Sequence, residues 1–225
     1  PAGPQPPRRP GPEPGYYEFD RPELLALVPP DARDVVDVGC AAGRFGEALK
    51  ARQPCRVVGI EWHPAAAAAA RGRLDVVLEG DAEAVDWPFP PHTFDAAVCG
   101  DVLEHLRDPL AFLRRVRAWL KPGGVLVASL PNVRHHSVVR GLLAGDWTYA
   151  PAGLLDHTHL RFFTRREAEK LLFRAGFEVP ALGPVPGPGY PEWAAAGRPG
   201  EVAVGGLRIG PLDPTEAEEF YTYQW

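Results

Sequence analysis

Two groups of residues in this sequence have the types and the spacing to do chemistry. The first recurs wherever a short apolar run ends. It comprises Asp37, Gly39, Ala41 and Gly43 in DVVDVGCAAG (34–43), Glu61 in GIEW (59–62), Asp81 and Ala82 in EGDAE (79–83), and Gly100 and Asp101 in CGDVLEH (99–105). Gly39 permits a tight turn, and Gly43 lets the next helix approach its strand closely. Glu61 lies 22 residues after Gly39, where a carboxylate can accept hydrogen bonds from ribose hydroxyls. Taken singly, these residues are an ordinary turn, a solvated acid and, for Asp81, a helix N-cap. Their recurrence at the ends of four successive runs points to a nucleotide-type ligand. The second group is histidine, whose side chain accepts a proton near neutral pH. His105 follows the fourth run, and His157 and His159 stand two apart in LLDHTHLRFF (154–163).

These residues need elements to hold them. DVVDV (34–38), CRVVGI (55–60), LDVVL (74–78), FDAAVC (94–99) and GVLVASL (124–130) read as strands. Helices are predicted around 44–52, 64–72 and 108–120. The strands are continuous apolar runs, as expected where helices cover both faces of a sheet. Such alternation predicts an α/β fold with a doubly wound parallel sheet. TRREAEKLLFRAG (164–176) is a further helix, with a capping box at Thr164 and Glu167 and Gly176 at its end. FEVPALG (177–183) reads as another strand, 183–200 as a Pro/Gly loop, and EFYTYQW (219–225) as a final strand. Residues 1–15 are too rich in proline and glycine to pack and read as a disordered leader, leaving 16–225 as one domain. The segment 131–164 looks like an insertion over the sheet edge.

The chain has 225 residues, 45% of them hydrophobic, enough for a substantial core. Its formal charge of -5 argues against a nucleic-acid partner. No run is apolar enough to span a bilayer and none reads as a signal peptide, so a cytoplasmic protein without membrane attachment is expected. Cys40, Cys55 and Cys99 form no CxxC pair and read as three buried, reduced thiols.

DVGCAAG, GIEW, EGDAE and FDAAVCGDVLEHLRDP, followed by LKPGGVLVASLPN (120–132), resemble class I S-adenosylmethionine-dependent methyltransferases over about Tyr16 to Val179. The resemblance implies a Rossmann-like seven-stranded sheet with an antiparallel last strand. It implies that Gly39, Ala41 and Gly43 line the methionine part of S-adenosylmethionine, with Asp37 in the same pocket. Glu61 would bind the ribose, Trp62, Asp81 and Ala82 the adenine, and Gly100, Asp101 and His105 would face the sulfonium. The family usually has glycine where Ala41 stands. SLPNVRHHSVVRGLLAGDWTYAPAGLLDHTHLRFFT (129–164) is similar to a block of bacterial methyltransferases acting on sugars and secondary metabolites.

Transfer from a sulfonium is an in-line displacement, so alignment dominates and an oxygen nucleophile gains from losing its proton. His105, His157 and His159 are the candidate bases. On an extended backbone His157 and His159 point the same way, and Arg161 continues that face toward an anionic acceptor. Tyr16, Tyr17, Asn132, His136 and Trp147 are the other candidate acceptor contacts, while Phe162 and Phe163 read as core. Asp156, His157 and His159 have the residue types of a metal site, but too few ligands converge, and no metal is expected. The competing reading is that they tether the insertion by hydrogen bonds, and for His105 that it packs a helix. His63 and His92 are expected at the surface. The expected function is methyl transfer to a hydroxyl of a small molecule, a sugar or natural-product intermediate, by a monomer or homodimer. N- or C-methylation and a nicotinamide-dependent oxidoreductase are the rivals; no Tyr-x-x-x-Lys pair supports the last.

Overall fold

The computed structural model describes residues 21–225. The leader and the candidates Tyr16 and Tyr17 lie outside the described residues. Helix α1 (Pro22–Leu27) has proline in its first turn, where the missing N–H is not needed. There follow β1 (Asp34–Val38), α2 (Arg44–Arg52), β2 (Arg56–Glu61), α3 (Pro64–Ala70), β3 (Val76–Glu79), β4 (Phe94–Gly100), α4 (Pro109–Trp119) and β5 (Leu120–Ser129). The five strands form one sheet in the order β3-β2-β1-β4-β5, and each pair is parallel. The order reverses between β1 and β4, and the carboxyl side of that switch point is where open α/β sheets bind their ligands.

Both faces of the sheet are covered, which is why its strands read as unbroken apolar runs. Val36, Val38, Val58 and Ile60 pack against Phe112, Leu113 and Val116 of α4. Val35 and Val57 face the other way, among Leu24, Phe45, Leu49 and Leu74. Two glycines set the closeness of that second layer. A Cβ at Gly46 in α2 would lie 3.0 Å from Val57 Cγ1, and one at Gly59 in β2 only 2.5 Å from Cys40 Sγ and 2.7 Å from Leu74 Cδ1. Close helix–strand approach is therefore the work of Gly46 rather than Gly43, whose own neighbours are Ala70 and Leu74. Gly59→Ala is expected to overpack this layer at a cost of about 2 kcal/mol, lowering the melting temperature by roughly 4–8 °C. A melting curve superimposable on wild type would show that the layer can expand.

The remaining elements are α5 (His136–Leu143), α6 (Arg165–Arg174), β6 (Val185–Pro186), α7 (Tyr190–Ala195), β7 (Val202–Val204), β8 (Leu207–Ile209), α8 (Pro214–Glu219) and β9 (Thr222–Gln224). Thr164 caps α6 by accepting from Glu167 N at 3.4 Å, and Gly176 closes it with φ 90°. The Glu167 carboxylate instead takes Lys170, so only half of the capping box forms.

Three expectations are corrected here. Among the described residues the main sheet has five strands, not seven. Residues 177–183 form no strand, because Pro180 and the following glycine and proline residues cannot sustain a ladder. The final strand is present but shorter than 219–225. β9 pairs antiparallel with β6 and also runs antiparallel beside 130–132, just past the end of β5, where Leu130 and Trp225 exchange backbone hydrogen bonds at 2.9 and 3.0 Å and Asn132 N donates to Tyr223 O at 2.9 Å. The Pro/Gly stretch 183–200 holds β6 and α7. There Trp193 joins Val202, Leu207, Phe220 and Tyr221 in a third, separate apolar cluster. No described helix is long and apolar enough to cross a membrane.

Candidate active site

The turn after β1 is built from backbone. Gly39 N and Cys40 N both donate to Ile60 O, at 2.8 and 3.0 Å, which folds the turn over the end of β2. Gly39 (φ 68°), Ala41 (φ 50°) and Gly43 (φ 80°) all lie in the left-handed region. Ala41 thus adopts the conformation a glycine would favour, at a cost of about 1 kcal/mol. What holds it there is Glu61, whose Oε2 accepts from Ala41 N at 2.9 Å while Oε1 accepts from His63 N at 2.8 Å. The sequence marks Glu61 as a candidate ligand acid; in the structure it locks the turn. His63 therefore sits beside the pocket as the N-cap of α3, whereas His92 is exposed at the far end of the sheet with Nδ1 against Leu120 O.

Beneath the turn lies Asp37. It is 4% exposed, and its Oδ2 has no hydrogen-bond partner among the described residues. Burial, with the Glu61 carboxylate close by, pushes its pKa up to about 8. Burial also raises Glu61, against the two N–H groups that hold its charge. Around the rim, Trp62 is half-exposed, Ala82 is half-buried against the core, and Asp81 is exposed. Asp81 Oδ1 accepts from Glu83 N at 2.9 Å, a turn cap rather than a free acid. Burial drives the Cys40 and Cys99 thiols well above their usual range, so both are inert, while Cys55 is only half-buried.

At the end of β4, Asp101 has φ 54°, a second strained residue on the neighbouring strand. Its carboxylate binds Arg21 Nη1, accepts from Ser129 Oγ at 3.0 Å and from Gln224 Nε2 at 2.9 Å. Arg21 Nη2 also donates to Ser129 Oγ at 2.9 Å. Arg21, Ser129 and Gln224 were not legible as site residues, because they come from the N-cap of α1, from β5 and from β9 and share no local motif.

His105 and His159 meet just past the end of β4. The ring of His159 stands 4.8 Å from that of His105, edge to face. His159 is 9% exposed; its Nδ1 lies 3.2 Å from Leu154 O, and its Nε2 faces Glu104 Oε1 at 4.0 Å. Burial, and the neighbouring His105, lower its pKa. Glu104 is 1% exposed, with no hydrogen-bond partner for either carboxylate oxygen among the described residues. Burial and the charge of Asp101 hold it well above the usual carboxylate range. The backbone of the insertion is stitched here, because Leu160 N and Arg161 N both donate to Glu104 O. Phe162, Trp147 and Tyr149 continue outward from His159 as a chain of ring contacts.

A family model described as a methyltransferase domain matches residues 16–182. The chain belongs to the methyltransferase domain family. It is 31% identical over 188 residues to a ubiquinone biosynthesis O-methyltransferase of Cereibacter sphaeroides, covering 80% of this chain and 74% of that protein. A trans-aconitate 2-methyltransferase of Methylobacterium radiotolerans is 36% identical over 134 residues, covering 57% and 51%. Among solved structures, a Thermotoga maritima methyltransferase described as a possible histamine N-methyltransferase superposes with TM-score 0.54 at 26% identity, covering 69% of each chain. An S-adenosylmethionine-dependent methyltransferase of Mesorhizobium loti shares the fold, with TM-score 0.58 over 90% and 94% of the two chains at 18% identity.

The methyltransferase depends on S-adenosylmethionine. Its crevice fits that cofactor on two observations: the turn 39–43 presents bare backbone, and the buried Asp37 oxygen beneath it lacks a partner. Several acceptor-side expectations are overturned. His157 is exposed and does not share a face with His159, because 154–160 is a succession of turns rather than an extended strand. Asp156 supports the tether reading, since its Oδ1 accepts from Thr158 N and Oγ1, both at 2.7 Å. Arg161 turns outward, donating to Leu160 O and Arg107 O. Asn132 is fully buried and holds Glu219 O, Thr222 O and Arg134 N. His136 is buried against Tyr221, with Nε2 bonded to Pro188 O at 2.8 Å. Both are structural pins for the C-terminal cluster. Phe163 is core, while Phe162 is only half-buried.

Proposed function

We propose that this methyltransferase transfers the methyl group to a hydroxyl of a small molecule, with a sugar or natural-product intermediate as the acceptor class. One observation carries the reading: the bare turn 39–43, Glu61 and Asp101 converge at the ends of β1, β2 and β4, and His105 and His159 adjoin that crevice. S-adenosylmethionine, when bound, supplies an electrophilic methyl on a sulfonium. Asp101 places negative charge near that cation, Asp37 does so once the cation draws off its proton, and the Gly39–Gly43 backbone makes room for it. Glu61 keeps acceptor capacity for ribose hydroxyls beyond its two backbone bonds, since an ionised carboxylate has about four acceptor sites. Trp62 and Ala82 offer apolar surface to the adenine, with Asp81 at its edge and Gly100 at the floor. A hydroxyl acceptor needs a proton acceptor, and the lowered pKa of His159 keeps its imidazole neutral near pH 7. His105 lies beside it.

Trp147, Tyr149 and Phe162 give the acceptor a ring-lined wall, formed by residues 131–164 as an acceptor-side insertion. The O-methyltransferase relatives favour oxygen over nitrogen or carbon. Three unpaired thiols fit a reducing cytoplasm. Calorimetry with S-adenosylhomocysteine tests the pocket. Wild type should bind one equivalent, and Glu61→Gln should bind at least tenfold more weakly. Equal affinity of the two would remove Glu61 from the pocket.

A further inference from the structure

Glu104 has no role in the reaction as described so far. A carboxylate 1% exposed with no hydrogen-bond partner for either oxygen among the described residues is costly, since an uncompensated buried polar group loses its hydration without replacement. Two imidazoles share its pocket. We infer that Glu104, His105 and His159 form a binding site for a divalent transition-metal cation of the zinc class, at the acceptor side of the methyl-transfer crevice. The inference rests on the proposed function only for what the cation would do, not for its binding.

The geometry supports this directly. One donor atom from each of the three residues lies within 4.8 Å of the others, and His159 Nε2 is 4.0 Å from Glu104 Oε1. Ligands of a tetrahedral zinc ion stand roughly 3.4 Å apart, so small inward rotations close the set. The second shell is already in place. Metal-bound imidazoles characteristically give their other ring nitrogen to a carbonyl, hydroxyl or carboxylate. His159 Nδ1 lies 3.2 Å from Leu154 O, which leaves Nε2 directed at Glu104. His105 Nδ1 meets Thr158 O at 3.3 Å and Thr158 Oγ1 at 3.1 Å, and Thr158 Oγ1 is itself oriented by Asp156. Asp156, chosen in the sequence as a candidate ligand, thus belongs to the outer layer. Leu160 N and Arg161 N clamp the insertion onto Glu104 O, fixing the distance between the two halves.

The donor set names the cation class. Two imidazole nitrogens with one carboxylate suit zinc and its first-row neighbours, while magnesium and calcium prefer oxygen alone. Three protein ligands also leave a coordination position open, as in catalytic rather than structural sites. That position would take an acceptor oxygen, and coordination lowers the pKa of a bound hydroxyl. With the cation bound, His159 is its ligand and the metal takes over the activation that the neutral imidazole provides in the metal-free protein. The expectation that no metal binds came from reading Asp156, His157 and His159 as a local cluster. The set found here reaches across 55 positions, from Glu104 to His159, and joins the end of β4 to the insertion.

Zinc titration of the full chain, stripped with chelator and followed by calorimetry and metal analysis, tests the site. Wild type should take up one zinc per chain at micromolar affinity or better. Glu104→Gln and His159→Ala should each weaken binding at least tenfold, while His157→Ala should leave it unchanged. His105→Ala, at a half-buried position, should show the same loss and serves where another variant misfolds by circular dichroism. Failure of folded wild type to bind one equivalent, or Glu104→Gln binding as wild type does, would overturn the inference. S-adenosylhomocysteine binding on the same samples separates the two readings. Zinc uptake without it would sink the proposed function alone, and the reverse would sink only the cation site.

Discussion

Asp37→Asn is expected to stabilise the ligand-free protein and to weaken its hold on S-adenosylmethionine. The folded-state pKa of Asp37 is raised from 3.8 to about 8. Between those values the folded protein holds a proton that the unfolded chain has released. Stability therefore falls as pH rises through this window and levels off above it. Asparagine has nothing to ionise, so its advantage should be of order 3–5 kcal/mol at pH 8 and vanish near pH 4. The cofactor is cationic, so the carboxylate that costs stability when the crevice is empty attracts it when the crevice fills. Urea melts at pH 5 and pH 8, with calorimetry at pH 8, test both halves. A stability difference independent of pH would mean that Asp37 is not the buried acid the structure shows, and unweakened binding would remove it from the pocket. Strain and unpaired charge retained at a functional site at the expense of stability follow a general pattern.

The second large effect belongs to His159. His159→Ala should reduce turnover by roughly 10²–10⁴, the range for loss of a positioned proton acceptor, while S-adenosylhomocysteine affinity stays within a few-fold. Release of S-adenosylhomocysteine over a panel of phenolic and sugar hydroxyl acceptors measures it. Because burial and His105 lower the pKa of His159, activity in the wild type should persist below pH 6.5 and be lost only as the imidazole protonates. An acid limb at or above pH 6.5, or a variant with undiminished turnover, would exclude His159 from the reaction. Loss of cofactor affinity in place of turnover would make it part of the cofactor pocket instead.

The sequence by itself determined the five parallel strands and which polar residues stand at their carboxyl ends. Each of those residues sits at the end of its own strand, and a parallel α/β sheet brings all its strand ends to one edge whatever the packing details. Asp37, Gly39, Ala41, Glu61, Gly100 and Asp101 were therefore placed as soon as the strands were. Even the positive φ of Ala41 was foreshadowed by its standing where glycine is usual. The acceptor side had no such rule. Reading 157–161 required a backbone period, and a chain of turns has none, so His157 and Arg161 faced outward while His159 turned in. Asn132 and His136 look like polar residues at a mouth until the C-terminal cluster folds over them and takes their hydrogen bonds. The last strand lies beside 130–132, beyond the end of β5, and pairs with β6 of the C-terminal segment, a junction set by packing between distant parts of the chain. Arg21, Ser129 and Gln224 around Asp101, and Glu104 between two histidines, are joined by distance in space across the whole chain. Only tertiary structure could decide them, because burial and convergence are properties of the packed molecule and leave no periodic trace along the sequence.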